Sequence, residues 1–190
     1  MNPIIAANWK MNMNINEGLS LVNNILDSSP SKKSQLIFFP PSITLNAISD
    51  RLKNTRYEVG VQNIHHEESG AFTGEISAQM IKSLDVQYAI IGHSERRQFF
   101  HETDYQINKK IHNALSADLF PILCIGETLE ERETGETLKV LKKQLSSALK
   151  DVDSDVKGLI VAYEPVWAIG TGITANSNQV NDAHSFINET

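Results

Sequence analysis

Glu164 is the residue of this chain best placed to do chemistry. The run Val161-Ala162-Tyr163-Glu164-Pro165-Val166-Trp167-Ala168-Ile169-Gly170-Thr171-Gly172 starts as an apolar β-type segment and delivers a single carboxylate at its end. Proline then stops the strand, and a loop follows that carries one large aromatic and is bounded by glycines. A catalytic base beside a movable lid would be built this way. The lid body, Trp167-Ala168-Ile169, is apolar enough to exclude water on closing, with Pro165 and Gly170-Thr171-Gly172 as hinges. An ordinary surface loop shares the pattern, because Pro and Gly bound many loops.

The elements that must position this carboxylate repeat along the chain. Short apolar runs occur at Ile4 to Trp9, Gln35 to Phe39, Tyr57 to Gln62, Tyr88 to Gly92, Phe120 to Ile125 and Leu159 to Tyr163. Several are continuous rather than alternating, as parallel strands covered on both faces should be. Between them lie helical patterns at Asn16 to Asp27, Ile43 to Lys53, Ala78 to Leu84, Asp104 to Ser116, Leu129 to Lys150 and Asn178 to Asn188, with Asn16, Ser42 and Thr103 as N-caps. Leu138, Leu141, Leu145 and Leu149 recur at helical spacing and read as core packing. The sum is a βα unit repeated six times, at about 30 residues per unit. Right-handed crossovers make this a parallel sheet, either open and doubly wound or curled into an eight-stranded (β/α)8 barrel. Asn8 and Lys10, Asn63, His93, Glu127 and Glu164 all fall at C-terminal strand ends, which favours the barrel, although six units do not close one.

Composition narrows the class. A chain of 190 residues with 41% hydrophobic content can bury a core, and we expect a single domain over residues 1–190. The net charge of −6 argues against a nucleic-acid surface. Six scattered histidines lack metal-ligand spacing, so no metal is expected. The one cysteine, Cys124, excludes an internal disulfide framework, fits a reducing compartment, and reads as a buried strand-end residue without a histidine to activate it. No apolar stretch reaches the roughly 20 residues that cross a bilayer, and no signal peptide is apparent. A cytoplasmic protein without membrane contact is the expectation.

Three strand-exit motifs then become specific: Ala7-Asn8-Trp9-Lys10-Met11-Asn12, Gly92-His93-Ser94-Glu95-Arg96-Arg97 and Ala162-Tyr163-Glu164-Pro165-Val166-Trp167. With Gln62-Asn63, Gly70-Ala71-Phe72-Thr73-Gly74-Glu75 and Cys124-Ile125-Gly126-Glu127, in this order, the chain from Pro3 to about His184 resembles the triosephosphate isomerases. That resemblance implies a TIM barrel and the interconversion of dihydroxyacetone phosphate and D-glyceraldehyde 3-phosphate through an enediolate, a step of glycolysis and gluconeogenesis. The family is a worked case of pKa tuning, so its acid–base logic is carried over rather than deduced. It implies Glu164 as the base, His93 as a neutral electrophile at the start of a short helix, and Lys10 as the positive charge that holds a dianionic substrate, with Asn8 in the same pocket. Glu95 pairs with the Lys10 position in the family, or serves as a first-turn acid of its helix. Backbone amides near Gly170 bind phosphate when the lid closes, Trp167 packs at the base of the lid, and Glu127 holds it. The loop from His65 to Glu75 enters a second subunit, with Thr73 approaching the partner's site, so a homodimer is implied. No cofactor is implied.

The chain also departs from the family pattern. After Gly172 it reads Ile173-Thr174-Ala175-Asn176-Ser177 instead of Lys-Thr-Ala and a proline-led helix, with Asn176 or Ser177 available as a cap. Strands seven and eight of the barrel, whose loops cradle the phosphate and latch the lid, are not represented before Thr190. The expectation is a C-terminally truncated, partial TIM-barrel domain, exposed along strands one and six and weakly active or inactive as a lone polypeptide. Two alternatives stay open: a non-catalytic or decayed barrel fragment acting in binding or assembly, and another sugar-phosphate barrel enzyme such as an aldolase. The aldolase reading lacks a strand-end lysine suited to a Schiff base in strands four to six.

Overall fold

The computed structural model describes residues 3–28 and 33–190. Its strands are β1 (Ile4–Asn8), β2 (Gln35–Phe39), β3 (Glu58–Val61), β4 (Tyr88–Ile91), β5 (Phe120–Ile125) and β6 (Ile160–Tyr163). Its helices are α1 (Ile15–Ser28), α2 (Ser42–Leu52), α3 (Ala78–Lys82), α4 (Ser94–Phe99), α5 (Asp104–Ser116), α6 (Leu129–Glu133), α7 (Thr137–Ala148) and α8 (Ser177–Glu189). The chain divides into two compact units, Met1–Ile90 with Asn113–Phe120, and Ile91–His112 with Pro121–Thr190.

In the first unit β1, β2, β3 and β4 pair in parallel, in chain order. Parallel neighbours need a crossover, and α1, α2 and α3 supply it. Ile37, Phe38 and Phe39 of β2 and Val61 of β3 are buried almost completely, together with Val22, Leu45, Ile48 and Ile81 from the helices. Gly60 is required by packing: a Cβ there would lie 2.1 Å from the Phe39 ring. β1 departs from the expectation of two covered faces, since Ile4 is 42% and Ile5 53% exposed.

The second unit holds the parallel pair β5–β6, in register from Ile122 with Ile160 to Ile125 with Tyr163. Ile107, Ile111, Leu123, Ile125, Leu141, Leu145 and Ala183 form its core. The Glu102 carboxylate is buried between Arg96 and Lys110, so its charge is compensated on both oxygens.

Local chemistry sets the boundaries. Thr103 and Asn176 cap α5 and α8 through reciprocal bonds with Gln106 and Gln179. Two caps fall elsewhere than expected. Asn14, not Asn16, caps α1: its Oδ1 accepts the Glu17 N–H, and the Glu17 carboxylate accepts the Asn14 N–H. Ser42 is already inside α2, behind Pro41. The single helix expected from Leu129 to Lys150 is two, α6 and α7. Gly135 adopts φ 75° between them, a left-handed turn that ends α6 and satisfies its last carbonyls. Leu138 therefore sits in the first turn of a new helix and is 46% exposed, while Leu141 and Leu145 are buried.

Candidate active site

In the first unit, β1 ends at Asn8 and the chain turns sharply. The Asn8 Oδ1 accepts the Lys10 N–H at 3.0 Å, and the Gln62 amide donates to the Lys10 carbonyl at 2.9 Å and to the Phe39 carbonyl at 2.8 Å. These bonds hold Lys10 at φ 53°, a left-handed conformation that costs a non-glycine residue roughly 1–3 kcal/mol and persists only where surroundings enforce it. A strained lysine at a strand exit is a pre-organised one. Thr73 lies exposed in the turn after β3, in a loop closed by the His65 N–H to Ile76 carbonyl bond at 2.8 Å and by the Phe72 ring stacked 4.3 Å from His65.

In the second unit, the chain that leaves β4 passes Gly92 to His93, which is buried (7% exposed) and caps α4. The Glu95 N–H donates to His93 Nδ1 at 3.2 Å. An acceptor at Nδ1 places the ring proton on Nε2, so the imidazole here is the neutral tautomer with Nε2–H outward. The Glu95 carboxylate also lies 3.6 Å from Nδ1, but this exceeds hydrogen-bond range and the backbone amide is the closer, directed partner. Nε2 faces the Glu164 Oε1 at 3.5 Å.

Glu164 is set by backbone. Its N–H donates to the Ile125 carbonyl at 2.8 Å, and the next ladder bond runs from the Val166 N–H to the Glu127 carbonyl at 3.1 Å. Between these bonds Gly126 lets the chains meet: a Cβ on it would lie 1.8 Å from the Glu164 carbonyl oxygen. The Glu164 Oε2 is buried and has no hydrogen-bond partner among the described residues. Burial pushes the Cys124 thiol well up from its ordinary acidity, and the Glu164 carboxylate pushes it the same way. Cys124 is a buried, protonated strand residue.

The segment after Glu164 is anchored at one end and open at the other. Glu127 is fully buried and gathers three donors: the Trp167 indole N–H at 2.9 Å, the Tyr163 hydroxyl, 3.1 and 3.0 Å from its two oxygens, and the Arg132 guanidinium at 2.9 Å. Arg132 also stacks 5.0 Å over the Trp167 ring. Burial and the Glu127 charge together raise the Tyr163 pKa, so the phenol stays a donor. Beyond the short 3₁₀ turn Val166–Ala168, Gly170 and Gly172 are exposed at φ 70° and 77°.

A family model described as "Triosephosphate isomerase" matches residues 3–190. The chain belongs to the triosephosphate isomerase family. It is 47% identical over 188 residues to the triosephosphate isomerase of Alkaliphilus metalliredigens, covering 98% of this chain and 76% of that protein. It is 47% identical to that of Alkaliphilus oremlandii, covering 97% and 75%, and 46% identical to that of Clostridium botulinum, also covering 97% and 75%. Its fold is that of the (β/α)8 barrel, represented by six βα units. Among the described residues no helix is long and apolar enough to cross a membrane.

In this chain the second unit brings together His93, Glu95 and Glu164, and joins Glu127 to Trp167, with Gly170 further along the same segment; the first holds Asn8 and Lys10 at the exit of β1 and Thr73 in the loop after β3. Sequence reasoning missed the residues that hold these in place, Tyr163 and Arg132 through the Glu127 carboxylate and Gln144 and Arg97 through main-chain groups. Tyr163, Arg132 and Gln144 were passed over as strand or helix residues, and Arg97 as a member of a motif. The Arg97 guanidinium donates to the carbonyls of Gly92 at 2.9 Å and Cys124 at 3.3 Å and pairs with Asp104 at 2.6 Å, tying the His93 turn to β5. A polar residue on the buried side of an otherwise apolar pattern was the only available signal.

Proposed function

We propose that Glu164, His93 and Lys10 carry the triose phosphate isomerisation of this family, between dihydroxyacetone phosphate and D-glyceraldehyde 3-phosphate. The observation that supports it most is the pairing of a neutral Nε2–H donor with a carboxylate, 3.5 Å apart at two strand exits. The reaction moves one proton between adjacent carbons, so it needs a base at carbon and a donor at oxygen. Glu164 takes the proton from the hydroxymethyl carbon, and the His93 Nε2–H donates to the oxygens as charge develops on the enediolate. Glu164 then returns the proton to the neighbouring carbon, and a second proton passes from the first oxygen to the second past the His93 Nε2, so that the hydroxyl becomes the aldehyde and the ketone the hydroxyl. Lys10, held in its strained turn, supplies the positive charge that an acidic chain needs to bind a dianion, and Asn8 fixes that turn.

Closing the Pro165–Gly172 segment brings the Gly170 N–H to the phosphate and excludes water. Trp167, held by Glu127, is the fixed end about which the glycine end moves. Glu95 acts by fixing the His93 tautomer through its backbone. The chemistry is protonic throughout and calls on no cofactor. The exposed loop from His65 to Glu75 fits a second copy of the chain, with Thr73 leading, and a cytoplasmic homodimer is the assembly we expect.

Glu164→Gln tests the assignment. It removes the base and keeps the shape, and turnover in a coupled assay should fall by about a thousandfold with the fold intact by circular dichroism. A folded variant within tenfold of the parent sinks the assignment. Failure of the parent to act on either triose phosphate favours a non-catalytic barrel instead.

A further inference from the structure

The main-chain groups of β5 alternate in direction. The carbonyls of Ile125 and Glu127 accept from Glu164 and Val166 on one side, so the N–H and C=O of Gly126 point to the other. A single side chain from α7 takes both. The Gly126 N–H donates to the Gln144 Oε1 at 2.9 Å, and the Gln144 Nε2 donates to the Gly126 carbonyl at 3.1 Å. The carboxamide thus imitates the N–H and C=O pair of an added strand. Gly126 is the residue against which the Glu164 carbonyl rests, close enough that a Cβ would overlap it. Gln144 is anchored in turn: α7 docks through Leu141, Leu145 and Ala148, all buried, on either side of it in sequence.

We propose that Gln144 is a positioning residue for the isomerisation: by clamping both polar groups of Gly126 it fixes the peptide on which the base Glu164 is seated. The inference rests on the reading of Glu164 as the base. Without the clamp, Gly126 loses two bonds and gains the freedom that glycine alone has at a strand end. Glu164 then moves with it, while Lys10, the charge proposed to hold the dianion, lies on another segment. Gln144 contacts no reacting atom, so its loss lowers turnover without weakening binding.

The test is steady-state kinetics on Gln144→Met, which keeps length and removes both bonds, and Gln144→Glu, which keeps an acceptor for the Gly126 N–H. Glu164→Gln runs in parallel, with thermal melts on all. Small displacements of a reacting group cost up to about a hundredfold. We expect kcat to fall about tenfold or more in Gln144→Met and less in Gln144→Glu, with KM within about twofold. A folded variant with parental kcat and only a lowered Tm overturns the proposal, as does loss of fold in both, since either result makes Gln144 a residue of stability alone. A rise in KM with kcat unchanged overturns it too. If Glu164→Gln retains its rate, the reading of the base has failed; if only the Gln144 variants do, this inference alone has.

Discussion

Cys124 is a residue whose sequence context and surroundings agree. A cysteine in the apolar run Phe120 to Ile125 was readable as buried, and it is 3% exposed. Its neighbour in charge was not readable, because Glu164 stands 40 positions later in sequence. Burial first, then Glu164, favours the protonated thiol in the folded state. The unfolded thiol titrates near about 8.5. The stability this group contributes is therefore complete below that pH, and is lost as pH rises from the unfolded toward the folded value. Cys124→Ser has no such titration. The gap in unfolding free energy between the parent and Cys124→Ser, from urea titrations, should be constant up to about pH 8 and narrow by pH 10, by at most about 1.4 kcal/mol per unit of pH. A gap that does not change with pH contradicts the assignment. His93 offers the opposite lesson. Its motif marked it as chemical, but only the Glu95 amide on Nδ1 shows which nitrogen faces Glu164.

Elements were legible where one local rule decided them. All six strands lie where apolar runs were expected; β4 and most of β2 and β5 are buried, as a covered parallel strand must be apolar throughout, while β1 is not. The α6–α7 break was missed because Leu138, Leu141 and Leu145 continue a helical period across a turn that Gly135 alone enforces. The anchoring of the Trp167 turn was only half legible. Glu127 was recognisable as a strand-end acid, but its partners Tyr163, Arg132 and Trp167 come from three segments and meet only in the fold. Glu127→Gln should destabilise the chain by about 1–3 kcal/mol, since the buried acceptors for Arg132 and Tyr163 are reduced. Trp167 fluorescence should report a loosened turn before global unfolding. Coincident transitions with parental stability would show that the network does not anchor this segment. Gly126→Ala pushes on the Glu164 carbonyl and should cost about 1–3 kcal/mol, read by denaturant titration. A stability equal to that of the parent would mean the two backbones are not held together.

At the scale of the molecule, the repeat of strand and helix identified the barrel, and the order of the motifs identified the family that the comparisons bear out. Assembly was the least legible level, because a loop proposed to meet a second copy of the chain has the composition of any polar loop. Phe72 is 43% exposed beside Thr73. Thr73→Arg should move sedimentation from dimer to monomer, and an unchanged dimer would place the interface elsewhere.

The central claim is that Glu164 removes a proton from carbon while His93 steadies the enediolate. Proton NMR of dihydroxyacetone phosphate in D2O with the protein observes that step alone, without waiting for product to leave. The account predicts that the parent chain exchanges one hydroxymethyl proton for deuterium, and that Glu164→Gln slows the exchange about a thousandfold while remaining folded. Exchange at the parental rate by a folded Glu164→Gln would contradict it.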